Sequence, residues 1–321
     1  MSEKSWDCLC AGIVVADHVC APVARMPHAG ELILTERMEL SVGGCAANVS
    51  VDLAKLGRNV AMLGFVGNDA FGAFVRQTMQ TAGVNCEQLL SSSTRETSGT
   101  LVVNCAGEDR RFIHSIGSNA EFTGQELTPE RIATARVLYL GGYLLCQELA
   151  ADHVAQAFRT ARELGVMTIL DVVVPCAGDY WPRVAEVLPF TDVFLPNTDE
   201  AEAITGLTDP HQQAQKFRDA GARTVAITCG ETGAVLLSEK GNWQSGRFDV
   251  SVIDGTGSGD AFAAGFIHGL LADADPETCL QWGSALGASC VQSVGATTGV
   301  FTNEKLREFC EGNQLQIQRM P

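Results

Sequence analysis

Apolar, β-branched runs recur along the chain between stretches with helical spacing. Asp7–Ala16, Val60–Val66, Val137–Leu140, Val166–Val174, Asp192–Leu195 and Thr224–Thr228 read as strands. Ala46–Leu56, Phe71–Ala82, Ala150–Leu164, His211–Ala220, Ala261–Ala272 and Glu277–Val291 read as helices, and Gly57, Gly83, Gly165 and Gly221 stand where four of them should close. Strands alternating with helices predict an α/β fold, a doubly wound and mostly parallel sheet flanked by helices on both faces, with residues 1–321 forming one domain. The alternation breaks at Val19–Val42 and Thr97–Ile116, which carry strand-like residues and turn signals without a helical period. These stretches predict a small β lid inserted into the sheet domain, over about residues 18–43 and 97–117.

Composition narrows the function. Hydrophobic residues make up 46% of the 321 and charged residues 19%, enough to bury a large core. With 22 Lys+Arg against 38 Asp+Glu the formal net charge is −16, which disfavours nucleic acid and anionic membrane as partners. A nucleotide is still compatible, because backbone N–H groups at a helix N-terminus hold phosphate without any lysine. No apolar run approaches the ~20 residues of a membrane span, and the polar start Met1–Asp7 has no signal-peptide character. Twelve cysteines scattered singly fit reduced thiols and a cytoplasmic location. Cys8 and Cys10 alternate in an apolar strand and read as small hydrophobes rather than half of a metal site.

The chemistry concentrates in two segments. Walker A, G-x-G-x-x-G, H-E-x-x-H and G-x-S-x-G patterns are all absent. In Val252–Phe266 a strand-like run, Arg247–Ile253, feeds the turn Gly255-Thr256-Gly257-Ser258-Gly259 and an apolar helix leaves it. Glycines at alternate positions let backbone N–H groups converge on one anion. Asp260 starts the helix, where the positive end of the dipole favours its ionised form. A carboxylate beside an anion cradle suits phosphoryl transfer; a simple N-cap is the alternative. The second segment, Ser41–Gly57, opens a helix of small residues on Gly43 and Gly44, with Asn48 in its first turn able to donate to and accept from a sugar hydroxyl.

Together these segments resemble the signatures of the ribokinase-like, or PfkB, carbohydrate kinases. Gly43-Gly44-x-x-x-Asn48 is similar to the N-terminal signature, and Asp254-x-Thr256-Gly257-Ser258-Gly259-Asp260 to the C-terminal one, written D-T-x-G-A-G-D. The resemblance runs from Gly12 to about Val300. It implies ATP-dependent phosphorylation of a sugar or sugar-like hydroxyl, with Asp260 as catalytic base and Gly257, Ser258 and Gly259 as anion hole. It implies that Asp17, Gly43, Gly44, Asn48 and Asn119 hold the sugar, and that Thr228, Gly230 and Gly233 lie beside the nucleotide. Asn197 and Glu200 match the N-x-x-E motif that acts on magnesium through water. Asp254 and Thr256, with backbone from Ser293, Gly295 and Gly299, match a potassium site, and the Pro27-x-x-Gly30-Glu31 turn the start of a lid that often pairs with a second subunit.

The sequence departs from ribokinase proper mainly on the sugar side. Gly255 replaces the usual threonine of the C-terminal signature. Val15 stands where ribokinase has asparagine, Cys45 where it has lysine, and Gly142-Tyr143 near where it has glutamate. Ribose is therefore a poor expected substrate. Arg110 and Arg111, in the expected lid, are candidates to contact an acidic or phosphorylated substrate, or else solvated strand charges; Asp171 ends an apolar strand and is a ligand contact or a cap. The alternatives are a nucleoside kinase, a sugar-binding sensor without activity and, more remotely, a nicotinamide-dependent oxidoreductase.

Overall fold

Strand β1 (Trp6–Gly12) sends Cys8 and Cys10 into one apolar cluster and Leu9 and Ala11 into another, all fully buried. A strand buried on both faces belongs at the centre of a helix-covered sheet, and the computed structural model, which describes residues 4–107 and 111–320, places it there. The other strands are β2 (Val15–Cys20), β3 (Met38–Gly43), β4 (Val60–Gly67), β5 (Leu89–Ser92), β6 (Gly99–Val103), β7 (Arg111–Ser115), β8 (Ala135–Tyr143), β9 (Met167–Val172), β10 (Val193–Phe194), β11 (Thr224–Thr228), β12 (Ala234–Ser238), β13 (Gly241–Ser245) and β14 (Ile317–Met320). The helices are α1 (Cys45–Lys55), α2 (Ala70–Thr81), α3 (Pro129–Ile132), α4 (Ala151–Glu163), α5 (Trp181–Val187), α6 (Thr198–Thr205), α7 (Pro210–Asp219), α8 (Ser258–Leu271), α9 (Pro276–Cys290) and α10 (Asn303–Gly312). Among the described residues no helix is long and apolar enough to cross a membrane.

The large sheet has ten strands in the order β14-β13-β12-β11-β10-β9-β8-β1-β4-β5. From β11 to β5 neighbours pair in parallel; β12, β13 and β14 add an antiparallel edge. Residues of α1, α8 and α9 fill one face, and residues of α4, α5, α6 and α7 the other. Helix α8 is apolar nearly all round and correspondingly buried, which fits a helix enclosed between the sheet and α9. Side-chain caps set the starts of several helices: Asp69, Asp209, Asp275 and Thr302 each accept a backbone N–H of the first turn.

A second sheet, β3-β2-β6-β7, stands apart from the first. Strands β2 and β3 pair antiparallel, β2 and β6 parallel, β6 and β7 antiparallel. Glu108, Asp109 and Arg110, between its last two strands, lie outside the described residues.

The sequence expectation needs correction at three places. The run Asp7–Ala16 is not one strand: β1 ends at Gly12, and β2 starts at Val15 in the other sheet. Asn119, fully buried, holds that break by accepting from Val14 N at 3.1 Å and donating to Val14 O at 2.9 Å. Arg247–Ile253 forms no strand, because β14 already occupies the free edge of β13; Val252 and Ile253 are each 64% exposed. The antiparallel hairpin β12–β13 lies beyond what strand-helix alternation signals, since no helix separates its strands.

Candidate active site

Two helix N-termini meet at one end of the large sheet. Helix α1 begins after Gly44 and helix α8 after Gly257, and the first-turn N–H groups of each lack intrahelical acceptors. Gly257 has φ 78°, and a Cβ there would lie 2.5 Å from the Ala296 backbone, so only glycine brings the turn this close to the neighbouring loop. Asp260, in the first turn of α8, accepts a 2.8 Å hydrogen bond from Asn48 Nδ2, in the first turn of α1. Asn48 is 4% exposed, and its Oδ1 has no protein partner.

These groups face a cavity of about 610 Å³. Its wall includes Val15 and Asp17 from the second sheet, Gly44, Cys45 and Asn48 from α1, Asp171 at the end of β9, Asn197 and Glu200 at α6, Thr228, and the whole turn Gly255–Asp260. Asp17 packs against Gly43, where a Cβ would lie 1.9 Å from Asp17 Oδ2, so Gly43 makes room for the carboxylate and does not itself line the cavity. The Thr100 hydroxyl hydrogen-bonds Asp17 and lies 3.0 Å from His114 Nδ1, joining three side chains of the second sheet into one chain.

The cavity crowds acids. Burial raises the Asp17 carboxyl to about 6, opposed by the Thr100 hydrogen bond and reinforced by the charge of Asp260. Burial pushes Glu200 up to about 8, opposed by the Asn197 N–H and reinforced by Asp260 and Asp199. Asp171 accepts from Gly142 N at 3.3 Å, and burial, with the charges of Asp260 and Glu200, moves it well above the usual range. The Cys45 thiol lies within hydrogen-bond reach of Asp171 and Asp260 and stays protonated, because burial and those charges raise it further. Asp260 itself is raised by burial, against the hydrogen bonds from Asn48 and Cys45. The helix dipole is therefore only one of the influences on this carboxyl. A base moved towards the working pH accepts a proton more effectively than an ordinary carboxylate.

The sequence pattern described as pfkB family carbohydrate kinase matches residues 7–303. The chain belongs to this family. A ribokinase from Haemophilus influenzae is 28% identical over 306 residues, covering 94% of this chain and 97% of that protein. An ATP-dependent ribose-1-phosphate kinase from Halopiger xanaduensis is 33% identical over 291 residues, covering 90% and 93%. The solved ribokinase of Arabidopsis thaliana, in complex with ribose and ATP, superimposes with a TM-score of 0.81 at 23% identity over 95% of this chain and 98% of that one, which shows the ribokinase-like fold. The membership makes the protein a carbohydrate kinase, an enzyme that phosphorylates a sugar-like molecule.

Within this pfkB chain the remaining expected residues divide into groups. Asn197 and Glu200 form a reciprocal capping box on α6, Asn197 Oδ1 accepting from Glu200 N at 2.8 Å and Glu200 Oε2 from Asn197 N at 2.9 Å. Asp254 Oδ1 accepts from Thr256 N at 2.9 Å and Thr256 Oγ1 at 2.7 Å, while its Oδ2 accepts from Gly295 N at 3.0 Å, joining the Gly255–Asp260 turn to the Ser293–Gly299 loop. Gly230 and Gly233 lie in the turn after β11, beside Thr228 but outside the cavity wall. Asn119 is corrected: its amide is engaged by Val14 and it does not line the cavity, so it positions the β1–β2 break instead of reaching a ligand. Arg111 lies on β7 outside the wall, hydrogen-bonding Cys105 Sγ at 3.5 Å, and Arg110 is among the undescribed residues.

Sequence reasoning missed Thr100 and His114, whose partner on β2 only the sheet register reveals. It also missed Asp52, fully buried one turn beyond Asn48 with neither oxygen hydrogen-bonded, and Lys55, whose Nζ donates to Thr297 O in the Ser293–Gly299 loop. The spacing of an acid and a lysine three apart on one helix was the available signal.

One pH effect follows. A carboxyl raised to about 6, as at Asp17, is protonated below that pH, so it loses its charge and one of its two oxygens turns from acceptor to donor. The acceptor kcat/KM should then fall by about tenfold per unit as pH drops below this value. A profile flat down to pH ~5 would contradict the assignment of Asp17 to the acceptor.

Proposed function

We propose that the protein transfers the γ-phosphoryl group of ATP to a hydroxyl of a sugar or sugar-like alcohol. The observation that carries this reading is Asp260, hydrogen-bonded to Asn48 at the mouth of a glycine turn that starts a buried helix. Asp260 takes the proton of the acceptor hydroxyl, whose oxygen forms the new bond to the γ-phosphorus. The bond from that phosphorus to the β,γ-bridging oxygen breaks, and ADP leaves with the electron pair. N–H groups of Gly257 and Gly259, with that of Ser258, which also donates to Gly255 O at 3.3 Å, would meet the charge that builds on the transferring group. Asp17, Asn48 and the Gly44 backbone hold the acceptor, and the stretch from Thr228 through Gly230 to Gly233 borders the nucleotide.

Magnesium fits the acid side of the cavity. A solved E. coli protein of the same fold was crystallised in complex with ATP and Mg²⁺. Glu200, pushed up to about 8 by burial and neighbouring acids, is a carboxyl that a divalent cation would return to its ionised form. Asn197 and Glu200 would hold the ion through water, and its charge would offset that of the phosphates.

Potassium fits the loop pair joined by Asp254, with Thr256 and backbone of Ser293, Gly295 and Gly299 around it. The second sheet serves as the lid, and Leu32, Leu34, Met38 and Ile113, all more than half exposed on or beside it, support a homodimer through this surface. Potassium-dependent turnover and a dimeric mass in solution are the checks on these two parts.

One observation favours the nucleoside variant of the reading. Ile13, Val15, Leu145, Val173 and Phe112 give the cavity an apolar side that suits a base attached to the sugar. A sensor without activity is disfavoured, since mere binding needs no carboxyl at an anion cradle. Asp260→Asn keeps the shape and, through its Oδ1, the hydrogen bond from Asn48 Nδ2, but cannot accept a proton. It should lower kcat by at least about 100-fold, while KM for ATP moves by less than about tenfold and Tm changes little. Turnover close to the parent's in this variant would refute the mechanism.

A further inference from the structure

We propose that the protein carries a second binding site, at the end of the large sheet opposite the candidate active site, and that it takes a small amphiphilic anion: an apolar ring system or short chain ending in a single carboxylate. A cavity of about 470 Å³ opens there. Small-molecule sites commonly measure ~300–1,000 Å³. The two cavities share elements but no residues. Met167 and Thr224 begin the strands whose far ends carry Asp171 and Thr228, and Phe266 and Leu270 lie on α8, whose first turn carries Asp260.

The floor of this second cavity is apolar. Val166, Val193, Leu236, Phe266 and Cys279 border it, each no more than 3% exposed, and Leu270 stands partly exposed beside them. A hydrocarbon body laid on such a floor leaves water for apolar contact on one side.

The rim is basic, in a chain whose formal charge is −16. Arg162, Arg223 and Lys240 border it, against Asp192 and Glu239. Both oxygens of Asp192 are already engaged. Its Oδ2 accepts from Thr168 N at 2.9 Å and from Thr168 Oγ1 at 3.2 Å. Its Oδ1 lies 3.1 Å from Arg223 Nη1 and 3.4 Å from Arg162 Nε. Two guanidinium groups therefore share one carboxylate, leaving a positive charge in excess. Arg162 Nε is buried without a hydrogen-bond partner, so part of its donor capacity is unused. Lys240, exposed in the turn between β12 and β13, adds a further charge that its neighbour Glu239 offsets. One carboxylate matches this excess. A cation finds Asp192 occupied, and a neutral ligand gains only from the floor.

The test is calorimetric titration of the full-length protein with three probes of one shape: 2-naphthoate, 2-naphthylmethanol and 2-naphthylmethylammonium. Naphthoate should bind at least about tenfold more tightly than either of the others, with a Kd that saturating ATP and Mg²⁺ leave unchanged. Leu270→Trp fills the floor and should abolish binding; Ala274→Phe, at a partly exposed wall position, is a second filling variant should the first not fold. Lys240→Glu, an exposed change, should weaken naphthoate by about fivefold. Cooperative thermal unfolding identifies the variants that have folded. Equal affinity for all three probes, displacement of naphthoate by ATP, or unchanged binding in a folded filling variant would overturn the site, as would the absence of binding by every probe. None of these outcomes bears on the kinase reading, which Asp260→Asn tests separately.

Discussion

The structure depends on bringing the N-termini of α1 and α8 together across the end of the large sheet. Each helix end supplies partial positive charge from its first-turn N–H groups, and the Asn48–Asp260 hydrogen bond links the two. That convergence is what allows four carboxyl groups to border one cavity. The fold supports it with close contacts rather than cations: Gly257 lies against Ala296, Gly43 beneath Asp17, and α8 packs along α9. Burial raises the acids, and hydrogen bonds from Asn48, Cys45 and Thr100 hold them within a range where protons can move.

The loops behind the cavity are tied by the same economy of polar contacts. Asp254 joins the Gly255–Asp260 turn to the Ser293–Gly299 loop with three hydrogen bonds, and Cys290 Sγ lies 3.2 Å from Thr256 O and 3.1 Å from Ala296 O. Lys55 reaches Thr297 O from α1, so the helix that carries Asn48 also holds the loop behind the Gly255–Asp260 turn. Asp52 stands buried beside Lys55, its carboxyl raised by burial and lowered by that ammonium. Charges brought this far from water persist only where neighbours of opposite sign or hydrogen bonds compensate them.

Much of this was legible in the sequence because local patterns carried it. Six of the parallel strands, all but β5 in the large sheet, and six of the helices follow from apolar periodicity, and Asp260, Gly257 and Asn48 from two short motifs whose neighbours are close in sequence. What was not legible depends on contacts between distant segments. The break between β1 and β2 needs Asn119, more than a hundred residues away, so the apolar run around Gly12 looked like one strand. Arg247–Ile253 has strand-like composition, but β14 occupies the edge it would join. His114 and Thr100 become neighbours of Asp17 only through the register of the second sheet.

The central claim is that Asp260 removes a proton and never takes the phosphoryl group itself, so transfer is a single in-line displacement across the cavity. The stereochemistry at phosphorus tests this most directly, using ATP made chiral at the γ-position with oxygen isotopes and the best acceptor. The account predicts inversion of configuration in the phosphorylated product. Retention would require a phosphorylated carboxyl as an intermediate and would contradict it.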